Sequence, residues 1–511
     1  MPVITTRCMF CPMQDVFLIE EEPRKDAPTL GRKSLYALEY DVNRDRGLCG
    51  RGNFCQELAT HPSRLFRAKK GVEYSTVEKV ASDFAANLQS LSGEKIAIML
   101  DGSLTLEETA KALALAEKIG TKLVALSPAE DIAVAPFKNS FTFEDVSRAV
   151  TNVVIGDVMT LSPTITKLLH DARALERGYT IIAIDTVKSR TGWFAHPELI
   201  TPIGKTTELI SAISETIESK RPEDKSLENI GISPGDFDWT VSAIEKASGK
   251  GNIIVAPGWH FADAFGVCAA AKKLAETAKL KFGVLPLTTN SRGIYRLLAN
   301  AGCDIAGTYK ALYNGELDAL LAIDCDPLES LPKSKIPKIF GLTGQLPTDS
   351  YEKVSHFIPS TFLFEKTGTL LGTEEGIIEL NEKINGPGVL GAGEIIDKIF
   401  SGEAPVPDNL RETVLNFEEP KESPVAISKI PKAGIIGVGQ GHVFHHSDGR
   451  YTRRTNFINL HDAENVNAAL VPIAIADRLG IKNGDRIRIS SESGNAELSA
   501  KTADWLDDGA I

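Results

Sequence analysis

Eight short apolar runs recur along this 511-residue chain, at 95–100, 122–126, 152–155, 180–185, 252–256, 282–287, 319–324 and 338–342. Each is short, rich in aliphatic residues, and separated from the next by a stretch with helical period or turn residues. Apolar runs of this kind are strands buried on both faces, and their alternation with helices calls for parallel sheets covered by helices on both sides. The helices carry their own boundary signals. Thr105 and Glu108 form a capping box, in which hydroxyl and carboxylate satisfy free amides at a helix start. That helix is predicted to run through Ile119 and stop at Gly120, and another is predicted over 164–176. The fold class is α/β.

Composition sets the outer limits. With 42% hydrophobic and 24% charged residues, the chain is neither disordered, nor collagen-like, nor a disulfide scaffold. Its length implies about three or four domains, each able to bury a core. The net charge of −12 argues against a nucleic-acid partner, which would need a basic surface. No apolar run approaches the ~20 residues of a membrane span. The start, Met1 to Cys8, lacks the basic and apolar regions of an export signal, so a cytoplasmic location is expected. Polar, Pro-containing stretches at 218–236 and 403–432 read as boundaries. Beyond the second, Asn483-Gly484 supplies a turn ahead of the alternating run Arg486 to Ser490, the pattern of a small β-barrel.

Four of the seven cysteines fall in the first 55 residues: Cys8, Cys11, Cys49 and Cys55. Thiols gathered this way in a reducing compartment bind metal more often than they form disulfides. An iron–sulfur cluster held by thiolates, a structural zinc site and ordinary buried thiols are the three readings. The five residues between Cys49 and Cys55 are looser than usual zinc spacing.

Three segments resemble the molybdopterin oxidoreductase family, which includes formate dehydrogenase and the large iron–sulfur subunit of respiratory complex I. The first is Cys8-x2-Cys11, then Asn43-Arg44-Asp45-Arg46-Gly47-Leu48-Cys49-Gly50-Arg51-Gly52, then His61-Pro62-Ser63-Arg64-Leu65. The second is 340–359 with Phe364-Glu365-Lys366-Thr367-Gly368-Thr369, and the third is the tail from Tyr451. The resemblance implies a multi-domain molybdopterin oxidoreductase-like fold: an iron–sulfur domain over 1–70, two doubly wound α/β domains over 71–230 and 231–405, a linker over 406–432, and a C-terminal β-barrel over 433–511. It implies a 4Fe-4S cluster on Cys8, Cys11, Cys49 and a fourth ligand. The family's third cysteine position holds Asp15, so Cys55 is preferred as that ligand and Asp15 is the alternative. Arg51 stands where the family places a cation between cluster and pterin, and Asp185 matches the end of a cofactor-binding strand.

The departures bear on function. A dinucleotide pyrophosphate needs glycine backbone and no nearby carboxylate. Asp324-Cys325-Asp326-Pro327 carries aspartate at both key positions of a family Gly-x-Asn-Pro loop, and Gly156-Asp157 lacks the asparagine of an earlier copy. Pro202-Ile203-Gly204-Lys205-Thr206 replaces Pro-Gly-Thr-Asp. Residues 120–145 contain no cysteine to ligate a metal, leaving Ser127 as an oxygen donor. His442, His445 and His446 beside Asp448, and His260 after Trp259, read as loop residues. The expectation is therefore an iron–sulfur electron-transfer and scaffold subunit of a larger oxidoreductase, with partner chains carrying flavin or further clusters. It would have no catalytic residues of its own. The alternative is an active molybdenum or tungsten enzyme, formate dehydrogenase-like, with molybdopterin guanine dinucleotide.

Overall fold

The computed structural model describes residues 3–20, 28–29, 32–33, 37–39, 47–256, 263–329, 331, 333–384, 388–424, 451, 468–491 and 494–503. These fall into two compact units that interleave along the chain. One is built from residues up to Phe137 and again from Pro286 to Pro424, with Tyr451; the other contains Lys138–Leu285 and the described tail.

The first unit is organised by a seven-stranded sheet. Its order is Glu73–Ser75, Ala68–Lys70, His356–Pro359, Ile339–Gly344, Ala319–Ile323, Ile96–Asp101 and Val124–Ser127. The last five are mutually parallel, with Ile323 opposite both Leu100 and Thr343. Every residue from Ile96 to Asp101 is buried, and strand periodicity sorts them between two cores. Ile96, Ile98 and Leu100 pack with Val80, Phe84, Leu115 and Ile396. Ala97 and Met99 pack with Leu312, Leu320 and Phe340 on the other face. The capping box on Thr105 and Glu108 is present, and the helix Leu106–Ile119 ends at Gly120 in the left-handed conformation.

At the amino end, Val3–Arg7 and Val16–Glu20 pair antiparallel, with Arg7 opposite Val16. Alternation buries Ile4 and Thr6, and a tight loop over 8–15 joins the strands. Gly52–Thr60 follows as a run of 3-10 turns.

The second unit holds an all-parallel five-stranded sheet, in the order Glu198–Ile200, Thr180–Asp185, Thr151–Ile155, Gly251–Val255, Lys281–Val284. Two buried asparagines meet across it: Asn252 Nδ2 donates to Asn152 Oδ1 at 2.8 Å, and Asn152 Nδ2 to Tyr179 Oη at 2.8 Å. In the tail, Ala468–Pro472, Gly494–Ala503 and Arg486–Ser491 form a three-stranded sheet, with the helix Ile473–Leu479 before the Asn-Gly turn.

The eight apolar runs are all strands, but the sixth ends early. Apolar sequence continues to Leu287, yet the strand stops at Val284. The physical reason is a buried carboxylate. Asp131 accepts from the N–H of Leu287 at 2.6 Å, from the N–H of Thr288 at 3.1 Å and from Thr288 Oγ1 at 2.7 Å, and Ser291 Oγ also donates to it. These bonds turn the chain into a fixed loop before the helix Ser291–Asn300.

Burial raises the Asp131 carboxyl to about 6 against its four hydrogen bonds. A folded pKa above the unfolded one means the unfolded chain ionises first. Stability should then fall as pH rises from about 4 to about 6, by on the order of 3 kcal/mol, and level off above. Asp131→Asn is expected to remove that slope, read as the pH dependence of the urea midpoint.

Candidate metal centre

The four amino-terminal thiols meet in one place. Cys8 and Cys11 come from the 8–15 loop, Cys49 from the turn before the 3-10 run, and Cys55 from within it. Cys8, Cys11 and Cys55 are buried, Cys49 is half-buried, and all four are free thiols. Burial pushes the Cys8 thiol well above its usual range, and the sulfurs of Cys55, Cys11 and Cys49 push it further. Cys11 is pushed up to about 12 by burial and then by Asp15. Burial likewise raises Cys49 and Cys55, with Arg51 opposing the rise at Cys49.

Backbone bonds shape the cage. Cys8 N–H donates to the Asp15 carbonyl at 2.8 Å, and Asn53 N–H to the Cys49 carbonyl at 3.0 Å. A Cβ on Gly52 would stand 3.5 Å from Cys8 Sγ and 3.2 Å from Leu48, so glycine keeps this wall open. The loop is fastened to the rest of its unit by residues that the sequence did not single out. Thr289 Oγ1 donates to the carbonyls of Cys8 and Cys11, at 3.3 Å each. Gln14, held at a φ of 49°, donates through Nε2 to the carbonyls of Thr289 at 2.8 Å and Leu371 at 2.9 Å. The one sequence signal for this anchor was the polar run Thr288-Thr289-Asn290-Ser291 directly after apolar sequence.

Burial disfavours the thiolate at each of the four sulfurs, and Arg51 offsets only part of that at Cys11 and Cys49. A metal group would reverse that. Among the described residues, no three His, Cys, Asp or Glu side chains draw close enough to hold a single metal ion. Four sulfurs are soft donors, the type that thiophilic metal groups take. Asp15 is buried beside them, its charge acting on Cys8, Cys11 and Cys49. Arg51 is buried at the start of the 3-10 run and acts on Cys11 and Cys49.

A second set of groups lies at the carboxyl ends of the strands Ile96–Asp101 and Ala319–Ile323. In an open α/β sheet this is where strand order reverses and ligands bind. Lys366 Nζ donates to Glu108 at 2.9 and 3.1 Å and stands 3.9 Å from Asp324. Burial pushes its ammonium down, but Glu108 and Asp324 outweigh that and hold it above the usual range. Asp324, at a φ of 60°, accepts from Thr343 Oγ1 at 2.7 Å and Ser360 Oγ at 2.6 Å. Asp326 accepts from Leu328 N–H at 2.9 Å and from Ser350 Oγ. In the second unit, Asp157 accepts from Thr191 Oγ1 at 2.7 Å, and Asp185 from the N–H of Thr186 at 2.7 Å. At the loops singled out for a pterin dinucleotide, carboxylates bind their own backbone and hydroxyls where a pyrophosphate needs bare N–H groups. These residues do not fit that group. Ser127 is buried at its strand end. Residues 43–46, Trp259, His260, His442, His445, His446 and Asp448 lie outside the described residues.

No family model matches the sequence, and no curated protein matches it. Among solved structures, acetylene hydratase from Pelobacter acetylenicus superposes with a TM-score of 0.71 at 12% identity, over 96% of this chain and 90% of the other. The likeness is one of fold. A chain of the formyltransferase/hydrolase complex from Methylorubrum extorquens, solved with methylofuran, gives a TM-score of 0.48 at 15% identity, over 68% of this chain and 99% of that one. The first comparison supports a mixed α/β, multi-domain fold related to that of acetylene hydratase.

Lys366 should matter through Glu108. Lys366→Met leaves a buried carboxylate uncompensated and is expected to cost about 3–5 kcal/mol in chemical denaturation. Lys366→Met combined with Glu108→Gln should recover a good part of that loss.

Proposed function

We propose that this chain is an iron–sulfur electron-transfer and scaffold subunit of a larger oxidoreductase. The observation that carries the reading is the convergence of four free thiols, three of them buried, in a loop region fastened to an α/β body. Cys8, Cys11, Cys49 and Cys55 would hold the group, and a 4Fe-4S cluster there would supply one-electron transfer. Gly52 leaves the wall open, and Arg51 favours thiolate at Cys11 and Cys49. The acid-bearing strand ends support the scaffold half of the reading, because they present carboxylates where an anionic dinucleotide would lie. One relay centre cannot complete a redox cycle, so partner chains carrying flavin or further clusters are required. Among the described residues no helix is long and apolar enough to cross a membrane.

Metal analysis of anaerobically purified protein should find iron and sulfide in cluster amounts, with molybdenum and tungsten essentially absent. Stoichiometric molybdenum with a released pterin would overturn the scaffold reading in favour of a formate dehydrogenase-like enzyme. The isolated chain is expected to give no formate-dependent dye reduction.

The fourth ligand is assigned to Cys55, whose sulfur acts most strongly on Cys8 after burial itself. Cys55→Ser should diminish the anaerobic electron paramagnetic resonance signal more than Asp15→Ser, since thiolate is the softer iron ligand. The opposite order would transfer the role to Asp15.

A further inference from the structure

Trp193, Phe194 and Trp239 are 73%, 44% and 39% exposed, although aromatic side chains ordinarily bury most of their surface. All three belong to the second unit, and one loop with its ring contacts joins them into a patch. Phe194 meets His170 of the helix Ile165–Leu175 edge-on, with ring centroids 5.3 Å apart. His196 meets Trp239 of the helix Pro234–Lys246 at 5.2 Å. The Arg190 guanidinium lies 5.7 Å from the Trp193 ring.

The turn that presents Trp193 and Phe194 is held from behind. Thr191, fully buried, donates through Oγ1 to Asp157 at 2.7 Å and accepts from the N–H of Met159 at 3.1 Å. Gly192 N–H donates to Ser189 Oγ at 3.3 Å, and Ser189 N–H to the Glu198 carboxylate at 3.3 Å. A Cβ at Gly192 would strike that carboxylate, so the turn is committed to glycine. Buried bonds on one side thus fix two rings that the fold leaves largely in water. Aromatic rings held ready in this way anchor protein interfaces, because little ordering cost remains to be met on binding.

Charge indicates the partner. Lys188 and Arg190 precede the turn, and Lys167 and Arg173 lie three residues to either side of His170, on the helix face that meets Phe194. All four are exposed, and none forms an ion pair among the described residues. Asp238, next to Trp239, is already held by Arg221 at 2.7 and 3.0 Å. Four unpaired cations therefore lie beside the aromatics, on a chain whose net charge is −12. A second copy docked about a two-fold axis would set these cations against their own counterparts. A nucleic acid would be repelled by the acidic remainder of the chain.

We infer that Trp193, Phe194 and Trp239, with the four cations beside them, form the docking surface for a partner protein that offers an apolar socket rimmed by Asp and Glu. The inference uses no residue of the thiol region and stands apart from the iron–sulfur reading.

The test compares the isolated full chain with the assembly purified at low salt through a tag on it. In the assembly a zero-length carbodiimide should couple Lys167 and Lys188 to Asp or Glu side chains of another protein, and about 0.5 M salt should cut that coupling at least about tenfold. Hydroxyl-radical oxidation of Trp193 should fall at least about fivefold in the assembly, since a buried anchor is closed from water. Trp193→Ala, and separately Lys188→Glu with Arg190→Glu, should abolish the coupling at Lys167 while leaving the urea midpoint of the isolated chain unchanged. Equal oxidation of Trp193 in the two samples, no coupling to a partner's acids, or no protein co-purifying would each overturn the inference. Coupling of Lys188 to a second copy of this chain, with a sedimenting dimer that Trp193→Ala dissociates, would give the face to self-association and overturn it too. So would binding of an oligo-dT strand of about 20 nucleotides that Trp193→Ala removes, which would give the face to nucleic acid. Iron content is measured on the same samples, so failure of the cluster reading is seen separately from failure of the docking surface.

Discussion

Arg64 and Glu365 lie 301 residues apart in the chain and are joined by two parallel hydrogen bonds of 2.6 and 2.5 Å, both side chains fully removed from solvent. Charges buried this way are tolerable only when paired in good geometry, so the two segments that carry them are committed to one another. Arg64 also donates to the carbonyl of Ala59, at the end of the 3-10 run that bears Cys55. Glu365 also accepts from the N–H of Phe362, and Arg64 lies over the Phe362 ring. The next residue, Lys366, makes the complementary connection to Glu108 at the start of a helix that covers the sheet. Two adjacent residues of opposite charge thus tie the cysteine-bearing segment on one hand and the α/β body on the other.

The cage depends on a second line of support that uses backbone more than side chains. Asp131 fixes the loop over 287–291, and Thr289 on that loop holds the carbonyls of Cys8 and Cys11. Carbonyls held in this way restrict the backbone of the loop that carries Cys8 and Cys11. Gln14 completes the arrangement, with three of its bonds running to residues hundreds of positions away.

At the sheet's switch point the chain has answered its own charges. Asp324 is buried, and its neighbours are Lys366, Thr343 and Ser360 rather than a ligand's donors. The architecture that in open α/β sheets ordinarily serves a bound ligand is present, while its loops carry acids turned inward.

The sequence by itself determined the local units. Eight apolar runs became strands, the Thr105–Glu108 box opened its helix, and Gly120 closed it, because burial pattern, capping and left-handed glycine act over a few residues. It also grouped the four cysteines that the structure gathers. The tertiary structure alone decided which sheet each strand joined. Lys281–Val284 and Ala319–Ile323 are successive apolar runs in sequence, yet they belong to different units, because parallel pairing is chosen by non-local register. It also decided the partners of Arg64, Lys366 and Asp131. A charge in sequence carries no sign of whether it will be buried; only packing removes the water, and then a partner must be found wherever the chain brings one.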